Sequence, residues 1–276
     1  MSKREPDPER ARYPAPRVTL LAAVLAVVVG ISLGLLGAGG SVLTVPIFVY
    51  VMGIGAKPAI AMSLGVVGAT ALIAALSHLR GRNVSFRVAA IFGPAAMLGA
   101  YFGAGLASYF SGRAQLIGFA VVVLTSATLL IRNARTSPPE SATPAMPHTD
   151  ARAAVLLVLQ GLAVGVLTAI IGVGGGFIIV PALVLIAGLP MRLAVGTSLV
   201  IISLNALSGF AGYLGRTEID WRLVGSFTAL AALGTVGGSF WARRVPQARL
   251  KQMFAYVLIV VALFVLYRTL LVDPVT

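Results

Sequence analysis

Apolar residues fall in ten runs along the chain, separated by short polar stretches. The runs are Val18–Leu36, Val42–Ile54, Ala59–Leu79, Val88–Phe110 and Ala114–Ile131, then Ala153–Ile171, Phe177–Leu189, Leu193–Leu214, Leu223–Ala242 and Met253–Leu271. Most are about 18 to 23 residues long, enough for a helix to cross a ~30 Å hydrocarbon core. Two are short. Val42–Ile54 and Phe177–Leu189 reach only about 20 Å as helices, and each follows a glycine cluster. The pattern predicts an all-α, polytopic membrane protein with about eight transmembrane helices plus two short glycine-interrupted segments.

The runs form two sets. Shifted by 135 residues, the chain aligns with itself without a gap. Gly30 meets Gly165, and Gly37, Gly39 and Gly40 meet Gly172, Gly174 and Gly175. Val45-Pro46 meets Val180-Pro181, Lys57 meets Arg192, and Ser63-Leu64 meets Ser198-Leu199. Gly99 and Gly103 meet Gly234 and Gly238. Matched Gly, Pro, Ser and basic positions at one offset indicate a duplication, an arrangement common in transporters. The organisation read from this is a cytoplasmic tail over 1–17, a membrane repeat over 18–132, a Pro-rich linker over 133–151 and a second repeat over 152–276. The linker holds Pro138, Pro139, Pro144 and Pro147.

Composition fits lipid rather than water. Of 276 residues, 58% are hydrophobic and 11% charged, and mean hydropathy is +0.98. A net charge of +13 would suggest nucleic acid in a soluble protein. Here the basic residues lie between apolar runs, where membrane sorting places them, so no nucleic-acid partner is expected. The expected partners are the bilayer and a small anionic substrate; a homo-oligomer is left open. Cysteine is absent, and His78 and His148 lie far apart, so no metal site or cofactor is expected. An apolar first run of spanning length, followed by more, points to an anchored chain rather than a cleaved signal peptide.

Candidate chemistry centres on the glycine clusters. Gly37-Ala38-Gly39-Gly40-Ser41 precedes one short segment, and Gly172-Val173-Gly174-Gly175-Gly176 precedes the other. Such runs disfavour helix by about 1 kcal/mol per Gly relative to Ala. Each therefore marks a break, and a short helix starting there aims free N–H groups and its dipole at the break, which favours an anion. Two matched breaks would place these ends around one cavity; close helix packing is the competing role of the same glycines. Ser63, Thr197, Ser198 and Asn205 add neutral groups able to hold an anion loosely, with helix–helix bonding as their alternative use. Lys57 and Arg192 each stand beside a proline after a short segment, placed to draw anions to a vestibule or to snorkel to the interface. No Asp or Glu falls inside a span, so no proton relay is visible and membrane potential is the expected drive for anion export.

These residues resemble the TauE/SafE sulfite exporter family, also called the TSUP family. The resemblance runs from about Val18 to Leu271. It rests on the duplicated glycine cluster ending in Val-Pro, on Ala-Val-Gly-Thr-Ser at 194–198 and on Gly-Arg-Thr-Glu-Ile-Asp-Trp at 215–221. It implies a mostly eight-helix permease of a bacterial-type cytoplasmic membrane, carrying sulfite, sulfonates or related organic anions. The first half departs from the pattern, with Ala61-Met62-Ser63 opposite Gly196-Thr197-Ser198. Uptake of another organic anion, or a scaffold that transports nothing, are the other classes open to such a chain; no enzyme set is visible.

Topology follows from the positive residues. If the short segments dip in and return, there are eight crossings, and 14 of the 21 Lys/Arg share the side of both termini against 7. If all ten cross, the tally is 10 against 11. The positive-inside rule thus favours eight, with both termini in the cytoplasm.

Overall fold

A computed structural model describes residues 16–36, 39–81, 83–136, 151–171, 176–185, 189–242, 244 and 247–272. Among the described residues the chain is helical, with no strand. The helices are α1 (Pro16–Leu36), α2 (Gly39–Pro46), α3 (Ala56–Arg80), α4 (Phe86–Leu106) and α5 (Gly112–Thr136), then α6 (Ala151–Ile171), α7 (Gly176–Leu185), α8 (Met191–Tyr213), α9 (Trp221–Ala242) and α10 (Gln247–Tyr267). Seven are long and apolar enough to cross a membrane; in α1 the apolar described stretch is shorter, Leu20–Leu35.

Two pairs of helix starts fall at the same offset. Ala56 and Met191, and Phe86 and Trp221, each differ by 135 positions. The short segments also end alike. Ile54 N–H donates to Phe48 O at 3.0 Å, and Leu189 N–H, 135 residues on, donates to Leu183 O at 3.0 Å. These bonds satisfy carbonyls at the helix end. Gly53 makes the turn, at a φ of 68° that side chains disfavour. Pro46 has no N–H to give, and the helix widens after it into a π turn over Ile47–Val51.

Helix directions follow from close glycine contacts. A Cβ added at Gly30 would lie 1.9 Å from Ala231 O, and one at Gly34 would lie 2.2 Å from Thr235 O, so α1 runs parallel to α9. Likewise Gly99 meets Leu162 and Gly103 meets Val166, so α4 runs parallel to α6. Gly93 meets Leu204 and Gly212 meets Ala104, so α8 also runs parallel to α4. Each half's first helix therefore packs on the fourth helix of the other half. Between α3 and α8 the order reverses: Gly65 meets Phe210 and Gly68 meets Leu207. These corresponding helices are antiparallel.

This changes the topology expected from charge. In the second half α6 and α8 are parallel, so the chain between Ile171 and Met191, with α7 in it, must return across the bundle. The first half does the same. Gly34 lies at Thr235 and Ser239, near the end of α9. The Phe48 ring is 4.9 Å from Phe227, six residues into α9. The chain thus descends along α9 from α1 to the start of α3. The short segments do not dip and return; they run back. Counting each short segment as a passage, the 10-to-11 tally leaves positive charge without a bias.

Labelling tests this directly, because the chain has no cysteine. Gly81→Cys and Glu218→Cys, both exposed positions, are expected to react with an impermeant thiol reagent from opposite sides of the membrane. A re-entrant arrangement would have them react from the same side.

Candidate functional site

α3 and α8 are the most deeply buried of the spanning helices. Ser63 and Thr70 lie seven residues apart on α3, and Ser198 and Asn205 seven apart on α8. Seven residues make about two turns, so each pair shares one face of its helix. All four are fully or almost fully buried. In the pairs Gly65–Phe210 and Gly68–Leu207 the residue numbers sum to 275. The same register sets Thr70 level with Asn205, which are also equivalent in the repeat. Ser63 then lies about 10 Å toward one end of the bundle and Ser198 about 10 Å toward the other. The four polar groups are spread over roughly 21 Å of depth.

The hydroxyls turn back on their own helices. Ser63 Oγ donates to Ile60 O and Ser198 Oγ to Val195 O, each at 2.8 Å. Thr70 Oγ1 donates to Val66 O at 2.7 Å. Those carbonyls already serve the helix ladder, so the hydroxyls can rotate to another acceptor at small cost. No Asp or Glu lies within a described helix. Asp220 instead caps α9, its Oδ1 accepting from the N–H groups of Arg222 and Leu223 at 3.0 Å.

Thr197 has a different task. Its Oγ1 accepts from Ser85 N–H at 2.8 Å. A Cβ on Gly196 would meet Asn83 O at 1.9 Å. The Gly-Thr pair thus seats the α3–α4 connection on the first turns of α8, while Ser198 beside it faces inward. Lys57 is exposed. Its Nζ donates to Ser108 O at 3.2 Å, tying the start of α3 to the turn after α4. Arg216 reaches the last turn of α4, 2.7 Å from a Cβ built on Gly105. Arg192 is the second residue of α8.

Of the glycine clusters, Gly39 and Gly40 open α2, followed by the buried Ser41, and Gly176 opens α7. Gly37, Gly172, Gly174 and Gly175 lie outside the described residues. The helices leading to the breaks end apart. α1 ends near the end of α9. α6 ends near Tyr213, the end of α8, and near Gln115 at the start of α5. Phe210 near the end of α8 meets Trp221 at the start of α9 edge-to-face, ring centroids 5.8 Å apart, so these two ends of the bundle are opposite.

Two residues without a sequence signal, Tyr213 and Gln115, hold the end of α6. Its last carbonyls have no partner within the helix. Tyr213 Oη donates to Ala169 O at 2.8 Å, and Gln115 Nε2 donates to Ile170 O at 3.0 Å and Ala107 O at 3.3 Å. Thr168 Oγ1 accepts from Asn205 Nδ2 at 2.7 Å. Only pairing across helices reveals these roles. Gln115→Leu leaves two carbonyls short of a donor, at about 1–3 kcal/mol each. A clear drop in the thermal midpoint of the purified protein is expected, and an unchanged midpoint would contradict this role.

The family model for the sulfite exporter TauE/SafE matches residues 22–265. The chain belongs to the TauE/SafE family. Its curated relatives carry a matching description. A probable membrane transporter protein of Xylella fastidiosa is 30% identical over 245 residues, covering 87% of this chain and 92% of the relative. The probable membrane transporter protein YdhB of Bacillus subtilis is 28% identical, covering 84% and 94%. One from Haemophilus influenzae is 26% identical, covering 88% and 96%. No solved structure matches the chain. Family and relatives make this TauE/SafE chain a multi-pass membrane transporter.

Proposed function

We propose that this TauE/SafE member exports sulfite or small sulfur-containing organic anions such as sulfonates, driven by the membrane potential. The observation that carries the reading is the set of four buried, uncharged polar positions along α3 and α8, spread over most of the membrane depth without a carboxylate. Neutral donors bind an anion weakly enough to release it, and no fixed negative charge opposes its passage. With a negative cytoplasm, anion exit gains about 2.3 kcal/mol per charge per 100 mV, so no proton relay is needed.

In this reading the repeats 18–132 and 152–276 are the two halves of an alternating-access carrier, joined by the linker 133–151. α1 and α6, the helices that precede the glycine clusters, end at opposite ends of the bundle. Each break then serves as the mouth on its own side, with the N-termini of α2 and α7 receiving the anion there. Ser41, Ser63, Ser198 and Asn205 line the way between. Lys57 and Arg192, equivalent in the repeat, gather anions at the two vestibules. Thr197 supports the path by seating Ser85. Both termini lie in the cytoplasm, the protein has no catalytic role, and a bacterial cytoplasmic membrane is its site.

Gly39→Leu and Gly174→Leu are expected to abolish flux of sulfite from proteoliposomes while both variants still insert. Full flux in both would remove the breaks from the path.

A further inference from the structure

Asn205 has one side of its amide engaged and the other open. Nδ2 donates to Thr168 Oγ1 at 2.7 Å, and the Thr168 hydroxyl donates its own proton to Gly165 O at 2.9 Å. With the Thr168 proton given to Gly165 O, that hydroxyl accepts from the NH₂ group of the amide. Asn205 Oδ1 is left fully buried with no hydrogen-bond partner. An unmet buried acceptor costs about 1–3 kcal/mol. Joining α8 to α6 needs only Nδ2, and a hydroxyl would do so without stranding an oxygen.

The position matters as much as the state. Asn205 shares the inner face of α8 with Ser198 and lies level with Thr70 at the centre of the repeat. Substrate sites of duplicated carriers lie at such mid-depth positions. The equivalent Thr70 has a hydroxyl already bonded to Val66 O and Val67 O.

We propose that Asn205 Oδ1 accepts a hydrogen bond from the transported anion, so that the substrate is an oxyanion that keeps a proton of its own. The inference rests on the anion path along α3 and α8. A fixed amide oxygen repels a bare anionic oxygen but accepts from an O–H. A protonated monoanion also enters a low-dielectric interior at far lower desolvation cost than a dianion. A remaining oxygen takes a hydroxyl donor from Thr70 at the same depth. A metal cation is a poorer fit, since hard cations gather six or more oxygens and Asn205 supplies one.

The test compares two anions of similar size in proteoliposomes, with flux through empty liposomes subtracted. Sulfite gains and loses a proton near neutral pH; methanesulfonate never carries one. Sulfite flux is expected to fall in step with the hydrogensulfite fraction as pH rises, with methanesulfonate at least ~10-fold slower and flat with pH. Asn205→Leu is expected to cut sulfite flux about 10-fold and to weaken its dependence on pH. If that variant does not fold, the wild-type pH profile decides alone. Sulfite flux indifferent to its protonation, or both anions carried equally, overturns the proton requirement while the permease stands. No flux of either anion overturns the permease as well.

Discussion

Gly238→Leu is expected to prevent stable folding, whereas Gly237→Leu, one residue earlier on the same helix, is expected to be tolerated. A Cβ on Gly238 would lie 2.3 Å from Ile31 O and 2.9 Å from Ile31 Cα, and neither backbone atom can move without α1. Gly30, Gly34 and Gly234 lie along the same α1–α9 seam, each with a similar clash in store. A leucine at 238 therefore separates the helices along much of their length, and overpacking of this kind costs upward of about 3 kcal/mol. In a membrane, close backbone approach supplies much of the helix–helix attraction, so little compensates. Gly237 is exposed with nothing within 4 Å of an added Cβ. Thermal midpoint and monodispersity in detergent check the pair. Equal behaviour of the two variants would refute the α1–α9 seam.

Ser63→Ala and Ser198→Ala are each expected to slow anion flux about 10-fold, and the double variant about 100-fold, with no change in folding. Each hydroxyl donates to a carbonyl of its own helix that already serves the helix ladder, so losing that bond costs the fold little. A hydrogen bond to a charged group contributes about 1.5–3 kcal/mol, and 1.4 kcal/mol is tenfold. The serines lie at matching depths from the centre, so losses of similar size are expected from the two. Flux of purified variants in proteoliposomes measures this. A double variant as fast as the wild type would take the path away from α3 and α8.

Much of the fold is legible in the sequence because lipid imposes length and apolarity on every spanning helix. The 135-residue offset reappears in two pairs of helix starts because matched glycines, prolines and polar turns set helix limits locally. The matched pairs Gly30/Gly165, Gly99/Gly234 and Gly103/Gly238 were visible too. Their partners were not: Gly30 serves Ala231 and Gly165 serves Ala96, across the halves. Such pairings depend on which surfaces meet, and no local pattern encodes that.

Direction was legible least. The positive-inside count favoured eight passages, yet the parallel run of α6 and α8 requires the chain to return between them. Charge counts respond to loops, whereas the direction of a short segment follows from what it packs against, as Phe48 does on Phe227. α5 includes Thr136 and α6 includes Ala151, so both helices reach into the stretch 133–151 read as a linker. Ser63, Ser198 and Asn205 stood out as polar groups in apolar runs. Gln115 lay near a predicted helix start and Tyr213 near a predicted end, where polar residues attract no notice; their partners on α6 are 55 and 44 residues away.

The most direct measurement is sulfite efflux from proteoliposomes under an imposed potential, with taurine and acetate as competitors. Efflux that rises with an inside-negative potential and is blocked by a competing anion is the expected result. Folded protein that passes no more sulfite than empty liposomes at any potential would contradict the central claim.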